Sequence, residues 1–131
     1  MRKEMKRLLV GVSVMLLLFT LVAARQTAPS RAAKGILRHT VAFNFKPGVP
    51  QTAIDKILAD TRATLPTIKG ATNIVVGPQT SDWTKYKYGI SIDFVNKEAK
   101  TQYANSPQSK RLHEQYKQYV EDEVVIDIFN E

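Results

Sequence analysis

The chain contains no cysteine in 131 residues. That absence excludes a disulfide framework, a thiolate metal site, a cysteine nucleophile and a lipoprotein acylation site together. Histidine is nearly as scarce, since His39 and His113 are the only two and lie 74 positions apart. A zinc site therefore lacks ligands. No phosphate-cradling glycine pattern occurs, and no internal repeat or low-complexity segment is found beyond residue 35. What the chain does have is positive charge, with 19 Lys+Arg against 12 Asp+Glu and a formal net charge of +7. Taken whole, that surplus suggests nucleic acid or an anionic membrane as partner. The length fits one domain, and 44% hydrophobic with 24% charged residues is a globular composition.

The position of the charge changes its meaning. Arg2, Lys3, Lys6 and Arg7 open the chain, and the 17 residues from Leu8 to Ala24 carry no charge. A basic start, an apolar run and small residues at Val22 and Ala24 form an export signal, with cleavage expected before Arg25. The alternative is retention of residues 1–24 as an N-terminal membrane anchor, although 17 residues are short for a spanning helix. Residues 25–35 are polar, small and basic without apolar periodicity, and read as a flexible linker. Residues 36–131 hold 12 basic and 11 acidic side chains, a net charge of +1. The basicity belongs to the leader and linker. A periplasmic or secreted domain follows.

From Leu37 the pattern has period two, with Leu37, His39, Val41, Phe43 and Phe45 on one face, so a strand is expected. Lys46 to Pro50 is a turn, and Ile54, Ile57, Leu58 and Leu65 mark an amphipathic helix over about residues 51–65. Residues 72–77 and 86–94 read as the second and third strands. Asn96 can cap a short helix, and Ser106-Pro107 restarts it with a serine cap and proline at the first helical position. Leu112, Tyr116, Tyr119 and Val120 form its expected buried stripe. Glu121-Asp122-Glu123 reads as a junction before a last strand, Val124 to Phe129, which is apolar on both faces except at Asp127. The order is βαββαβ, an α+β arrangement, and one helical layer cannot cover both faces of that last strand.

Four segments carry a family resemblance: Leu37-Arg38-His39-Thr40-Val41-Ala42-Phe43-Asn44-Phe45-Lys46, Ile68-Lys69-Gly70 through Val76-Gly77, Tyr103-Ala104-Asn105-Ser106-Pro107, and Val120 through Asp127. From Leu37 to Phe129 the chain resembles the stress-responsive A/B barrel, or Dabb, domain. The resemblance implies a ferredoxin-like fold with a four-stranded antiparallel sheet and helices on one face. It also implies a homodimer, packed sheet to sheet as a dimeric α/β barrel. A pocket between sheet and helices is implied too, which in the family's plant polyketide cyclases holds a His and Tyr that promote an aldol-type condensation. Exported bacterial members generally have no assigned activity. The family's first-strand histidine falls on His39 and the tyrosine before its His-Pro element on Tyr103. Its second histidine, the acid/base of the cyclases, is Ser109; its third-strand histidine is Tyr88, and its helical tyrosine is Thr61. A serine hydroxyl with no base supplied does not take up a proton near neutral pH as imidazole does.

The expected ligand-binding pocket is thus His39, Val41, Thr61, Tyr88, Tyr103 and Ser109, with no catalytic residue assigned. His39 admits two readings, a pocket proton-transfer group or a hydrogen-bonded core histidine, and the absence of a second titrating partner nearby favours the latter. Tyr88 and Tyr103 divide similarly between ligand contacts and packing. Glu121, Asp122 and Glu123 offer a weak magnesium or calcium site against a solvated junction. An RNA-recognition domain shares the βαββαβ order, and Lys85 to Tyr88 suit its sheet surface, but the RNP1 spacing is absent and the domain carries only +1. The expectation is an exported, non-catalytic homodimeric module that binds a small apolar or aromatic molecule or serves in assembly. It uses no cofactor, metal or nucleic acid, and touches a membrane only through residues 1–24 if these stay attached. The alternative is a cofactor-independent lyase or cyclase acting by proton transfer.

Overall fold

The computed structural model describes residues 34–131. The expected leader and all but the last two residues of the expected linker lie outside them. The elements run β1 (Leu37–Phe45), α1 (Gln51–Thr64), a 3-10 turn (Leu65–Thr67), β2 (Ala71–Pro78), β3 (Tyr88–Phe94), α2 (Lys97–Asn105), α3 (Pro107–Tyr116) and β4 (Val120–Phe129). The strands form one antiparallel sheet in the order β2-β3-β1-β4. This is the βαββαβ ferredoxin-like fold, with the second helical segment divided in two.

The alternation of β1 sets the layers. Leu37, Phe43 and Phe45 turn to the helices and are buried, together with Ile54, Ile57, Leu58 and Leu65 from α1 and the turn after it, and with Ile92 and Phe94 from β3. Phe94 and Ile92 have no exposed surface. Burying a side chain of this kind is worth roughly 1.5–3 kcal/mol. Opposite residues in an antiparallel pair share a face, so the registers Arg38↔Ile128, Thr40↔Ile126 and Ala42↔Val124 put those residues on the outer face. There Ile126 is 50% and Ile128 59% exposed, and Val75 of β2 is also largely exposed. The second apolar face of β4 expected from its sequence is present and uncovered.

Helix starts follow local chemistry. The Asn96 side chain accepts from the Ala99 amide at 2.7 Å, and the Ser106 hydroxyl accepts from the Ser109 amide at 3.1 Å with Pro107 next in the helix. Each cap satisfies a donor that the first turn leaves free. On the outer face, Asp93 is buried and takes a bidentate pair from Arg38 at 2.7 and 2.9 Å and a third bond from the Asn73 amide at 3.0 Å. Asn73 adopts φ 47 where the register of β2 slips against β3, a left-handed conformation that asparagine tolerates better than most residues.

Three features differ from the sequence expectations. β4 starts at Val120, which stands opposite Phe45, so Glu121-Asp122-Glu123 lies inside the strand and not before it. Asp122 is taken by Asn44 at 3.1 Å and by Lys85. β3 starts at Tyr88, because the Gln79 side chain binds the carbonyls of Ser81 and Tyr86 and holds the preceding residues as a loop. Leu112, Tyr116, Tyr119 and Val120 are only partly buried, and α3 has no buried residue at all.

Candidate functional site

The reason for that exposed helix is a cavity. A space of about 730 Å³ lies between the helix-facing side of the sheet and α3, within the usual range for small-molecule sites. Val41, Phe43 and Ile90 form its apolar floor, and Leu112 lines it from α3. Val125 stands opposite Val41 on the same floor and is 50% exposed.

His39 is placed by β1 in the wall of this cavity, with its side chain only 10% exposed. The residue opposite it across the β1–β4 ladder is Asp127. Cross-strand neighbours have Cβ atoms about 5 Å apart, and here the side chains meet, with His39 Nδ1 2.6 Å from Asp127 Oδ1. Lys100, projecting from α2, brings its ammonium within 3.1 Å of the other carboxylate oxygen. Burial pushes the Asp127 carboxyl up, but the hydrogen bonds from His39 and Lys100 outweigh it and hold the group below the usual carboxylate range. An ionised carboxylate only accepts, so Nδ1 carries the hydrogen and donates. In the neutral form of the ring, Nε2 is then the acceptor.

Tyr103 stands beside this pair from α2, its ring centroid 5.9 Å from that of His39 and 5.0 Å from that of Phe94. Burial pushes its phenol up, opposed in part by the Ser109 hydroxyl and the Lys100 charge. Tyr103 therefore remains a neutral donor at physiological pH. Ser109 is carried over it by the first turn of α3. Thr61 reaches the cavity from α1, where its hydroxyl already donates to the Ile57 carbonyl at 2.8 Å.

Five of the six residues expected from sequence, His39, Val41, Thr61, Tyr103 and Ser109, line the one cavity. Tyr88 does not. It packs on Phe43 and Phe45, at centroid distances of 5.9 and 4.9 Å, because it pairs with Phe43 while the residue across from His39 on β3 is Ile92. Sequence reasoning missed Asp127 and Lys100, and with Asp127 the titrating partner of His39. The only signal was Asp127 itself, the single polar residue of the apolar run Val124 to Phe129. His113 is exposed on the cavity rim. Among the described residues no group of three His, Cys, Asp or Glu could hold a metal ion.

A four-stranded antiparallel sheet with helices on one face and a cavity between the layers defines a ferredoxin-like α+β module. Residues 37–130 match the stress responsive A/B barrel domain, and the chain belongs to that family. Among solved structures, a Dabb-family protein with a ferredoxin-like fold from Mesorhizobium loti is similar at 27% identity and a TM-score of 0.69, covering 75% of this chain and 99% of its own. A dimeric ferredoxin-like protein of unknown function from Thermobifida fusca is similar at 13% identity and 0.67, with coverages of 76% and 95%. A hydroxynitrile lyase from Passiflora edulis is similar in fold at 17% identity and 0.68, with coverages of 76% and 96%. Comparison with curated proteins by sequence gives no match.

Proposed function

We propose that this protein is an exported homodimeric module that binds a small, largely apolar or aromatic molecule in the cavity beside His39 and Tyr103. The observation that carries the reading is the open apolar floor. Val125 and the inner face of α3 expose carbon to solvent above a core that is otherwise closed, and a ligand that covers such surface gains about 25 cal/mol for each Å² removed from water. The polar groups at one end of the cavity, His39, Tyr103 and Ser109, are few and convergent, as small-molecule sites require. Export rests on the pattern of residues 1–24, and dimerisation on the exposed outer face of β4 and on the similar folds described as dimeric.

Thermal unfolding of the full-length protein against a panel of small phenols, aromatic acids and aliphatic compounds tests the binding reading. A rise in melting temperature that Tyr103→Phe or His39→Ala reduces supports it. No response across the panel from a protein that is dimeric by light scattering leaves the assembly role in its place.

The His39–Asp127 contact favours a second reading, cofactor-independent proton transfer by a lyase or cyclase. A neutral imidazole whose Nδ1–H is held by a carboxylate presents Nε2 as a base, and the carboxylate stabilises the imidazolium formed when it takes a proton. Nε2 would take the proton of a substrate hydroxyl or activated C–H, and the Tyr103 phenol would hydrogen-bond the oxygen on which negative charge develops. Turnover of a β-polyketone or a cyanohydrin that both His39→Ala and Asp127→Asn abolish would establish this reading over simple binding.

A further inference from the structure

The cavity has two chemically different ends, fixed by topology. α3 is capped by Ser106, whose amide and hydroxyl both donate to the Tyr103 carbonyl, at 3.0 and 2.8 Å. Beyond its end, Tyr119 accepts from the Lys46 amide at 2.8 Å, beside the start of β4. β4 then runs back beneath it, from Val120 opposite Phe45 to Asp127 opposite His39. The four steps from Glu123 to Asp127 span about 13 Å at the usual strand rise. At the far end the lining residues include Glu121 and Glu123, with Glu114 already paired to Lys117 at 2.6 Å. At the near end they are Lys100, Lys110, Ser109, Tyr103 and His39.

The near end supplies donors and one buried acceptor. Lys100 is committed to Asp127 and offsets its charge. Lys110 makes no ion pair among the described residues, and it lines the cavity from the first turn of α3. Its ammonium and the hydroxyls of Tyr103 and Ser109 line the same cavity, and a cation with neutral hydroxyl donors suits an anionic oxygen. His39 Nε2, on a side chain nine-tenths buried, suits a hydroxyl that donates. A carboxylate alone would meet Nε2 lone pair to lone pair, and a neutral alcohol would leave Lys110 unused.

We infer that the ligand is an amphipathic 2-hydroxy carboxylic acid bound head-first, its carboxylate on Lys110, Tyr103 and Ser109, its hydroxyl donating to His39 Nε2, and its apolar tail over Val41 and Val125. This deepens the binding reading above and rests on it. The apolar floor determines that a ligand with a tail binds, and the polar end determines which head it carries.

The matched probes are 2-hydroxyoctanoate, octanoate and octane-1,2-diol, titrated calorimetrically into the full-length protein and its Lys110→Gln and His39→Leu variants. The hydroxy acid is expected to bind about tenfold tighter than the diol, a difference of about 1.4 kcal/mol, and Lys110→Gln to bring the two within about twofold. It should also bind more tightly than octanoate, an advantage that His39→Leu removes while circular dichroism shows the variant folded. A diol that binds as well as the acid, or an acid preference that survives Lys110→Gln, overturns the inference and leaves the binding reading standing. If neither these probes nor any compound of the broader panel binds, the binding reading itself fails.

Discussion

Gly70 allows the cost of one backbone position to be separated into its parts. It sits at the entry to β2 with φ 88, and a Cβ added there would lie 2.7 Å from the Ala99 Cβ of α2. Two penalties follow for Gly70→Ala. The left-handed conformation costs an L-residue about 1–2 kcal/mol, and overpacking against a neighbour on another element costs about 1–3 kcal/mol. The stiffer unfolded chain returns about 0.4–1 kcal/mol, leaving a destabilisation of about 3 kcal/mol. Gly48 isolates the first penalty, since its φ is 85 and an added Cβ meets nothing within 4 Å. Gly48→Ala should therefore cost only about 1 kcal/mol. Urea denaturation at fixed protein concentration measures both, with an unchanged slope expected. Adding Ala99→Gly to Gly70→Ala should restore the steric part but not the conformational part, so a double-mutant cycle gives a coupling of about 2 kcal/mol. Equal destabilisation by Gly70→Ala and Gly48→Ala, or a coupling near zero, would refute the close approach of β2 and α2.

Asp93→Asn should destabilise the protein by about 1–3 kcal/mol at pH 7, the range for losing charged hydrogen bonds to a buried carboxylate. The Arg38 bonds, helped by Asn73 and opposed by burial, hold Asp93 below the usual carboxylate range. Its stabilisation is therefore full above the unfolded value near pH 4 and is lost as pH falls through the folded one, so thermal melts of variant and wild type should converge at low pH. Tyr116 shows the opposite sign. Burial and its hydrogen bond to Asp60 raise its phenol to about 12, so stability present below pH 10 should decline as pH rises from 10 to 12, and the late part of the ultraviolet tyrosine titration, to which Tyr103 also contributes, should shrink in Tyr116→Phe. Asp127→Asn should shift the His39 imidazole nitrogens in ¹⁵N spectra toward a mixture of tautomers, because the acceptor that fixes the hydrogen on Nδ1 is no longer a charge; an unchanged spectrum would mean the contact does not set the tautomer. Ile126→Asp with Ile128→Asp on the outer sheet face should halve the mass measured by light scattering, and an undisturbed dimer would place the interface elsewhere.

Local chemistry was readable from sequence wherever the deciding partner lay within a few residues. Asn96 and Ser106 cap the helices that begin beside them, and β1 alternates as its five inward residues require. Pairing between distant segments was not readable. Tyr88 lies on the correct face of β3 but pairs with Phe43, four residues along β1 from His39, and four residues of strand are about 13 Å. The charged triplet Glu121-Asp122-Glu123 suggested a break, yet Phe45↔Val120 and the Asn44 contact to Asp122 carry the ladder through it. The apolar stripe of α3 predicted a packed helix, because periodicity reports which face turns inward and says nothing of whether that face meets a core or a cavity.

The substitutions at Ser109 and Tyr88 remove imidazoles from the positions where the family resemblance implies them, and they led the sequence reading to treat His39 as isolated. That step assumed that a partner must come from the same positions. A buried imidazole needs only a carboxylate at the right height on the next strand, and in an antiparallel pair that height is set by register. Because β4 pairs with β1 without interruption from Leu37↔Phe129 to Asn44↔Asp122, the one acid of the apolar run Val124 to Phe129 arrives opposite the one histidine of β1. The hydrogen bonds from His39 and Lys100 then outweigh the partial burial of Asp127 and keep it ionised. An apolar replacement such as Asp127→Leu should therefore destabilise any variant that keeps both His39 and Lys100, since it leaves the Nδ1 donor and the ammonium without the acceptor that lay between them.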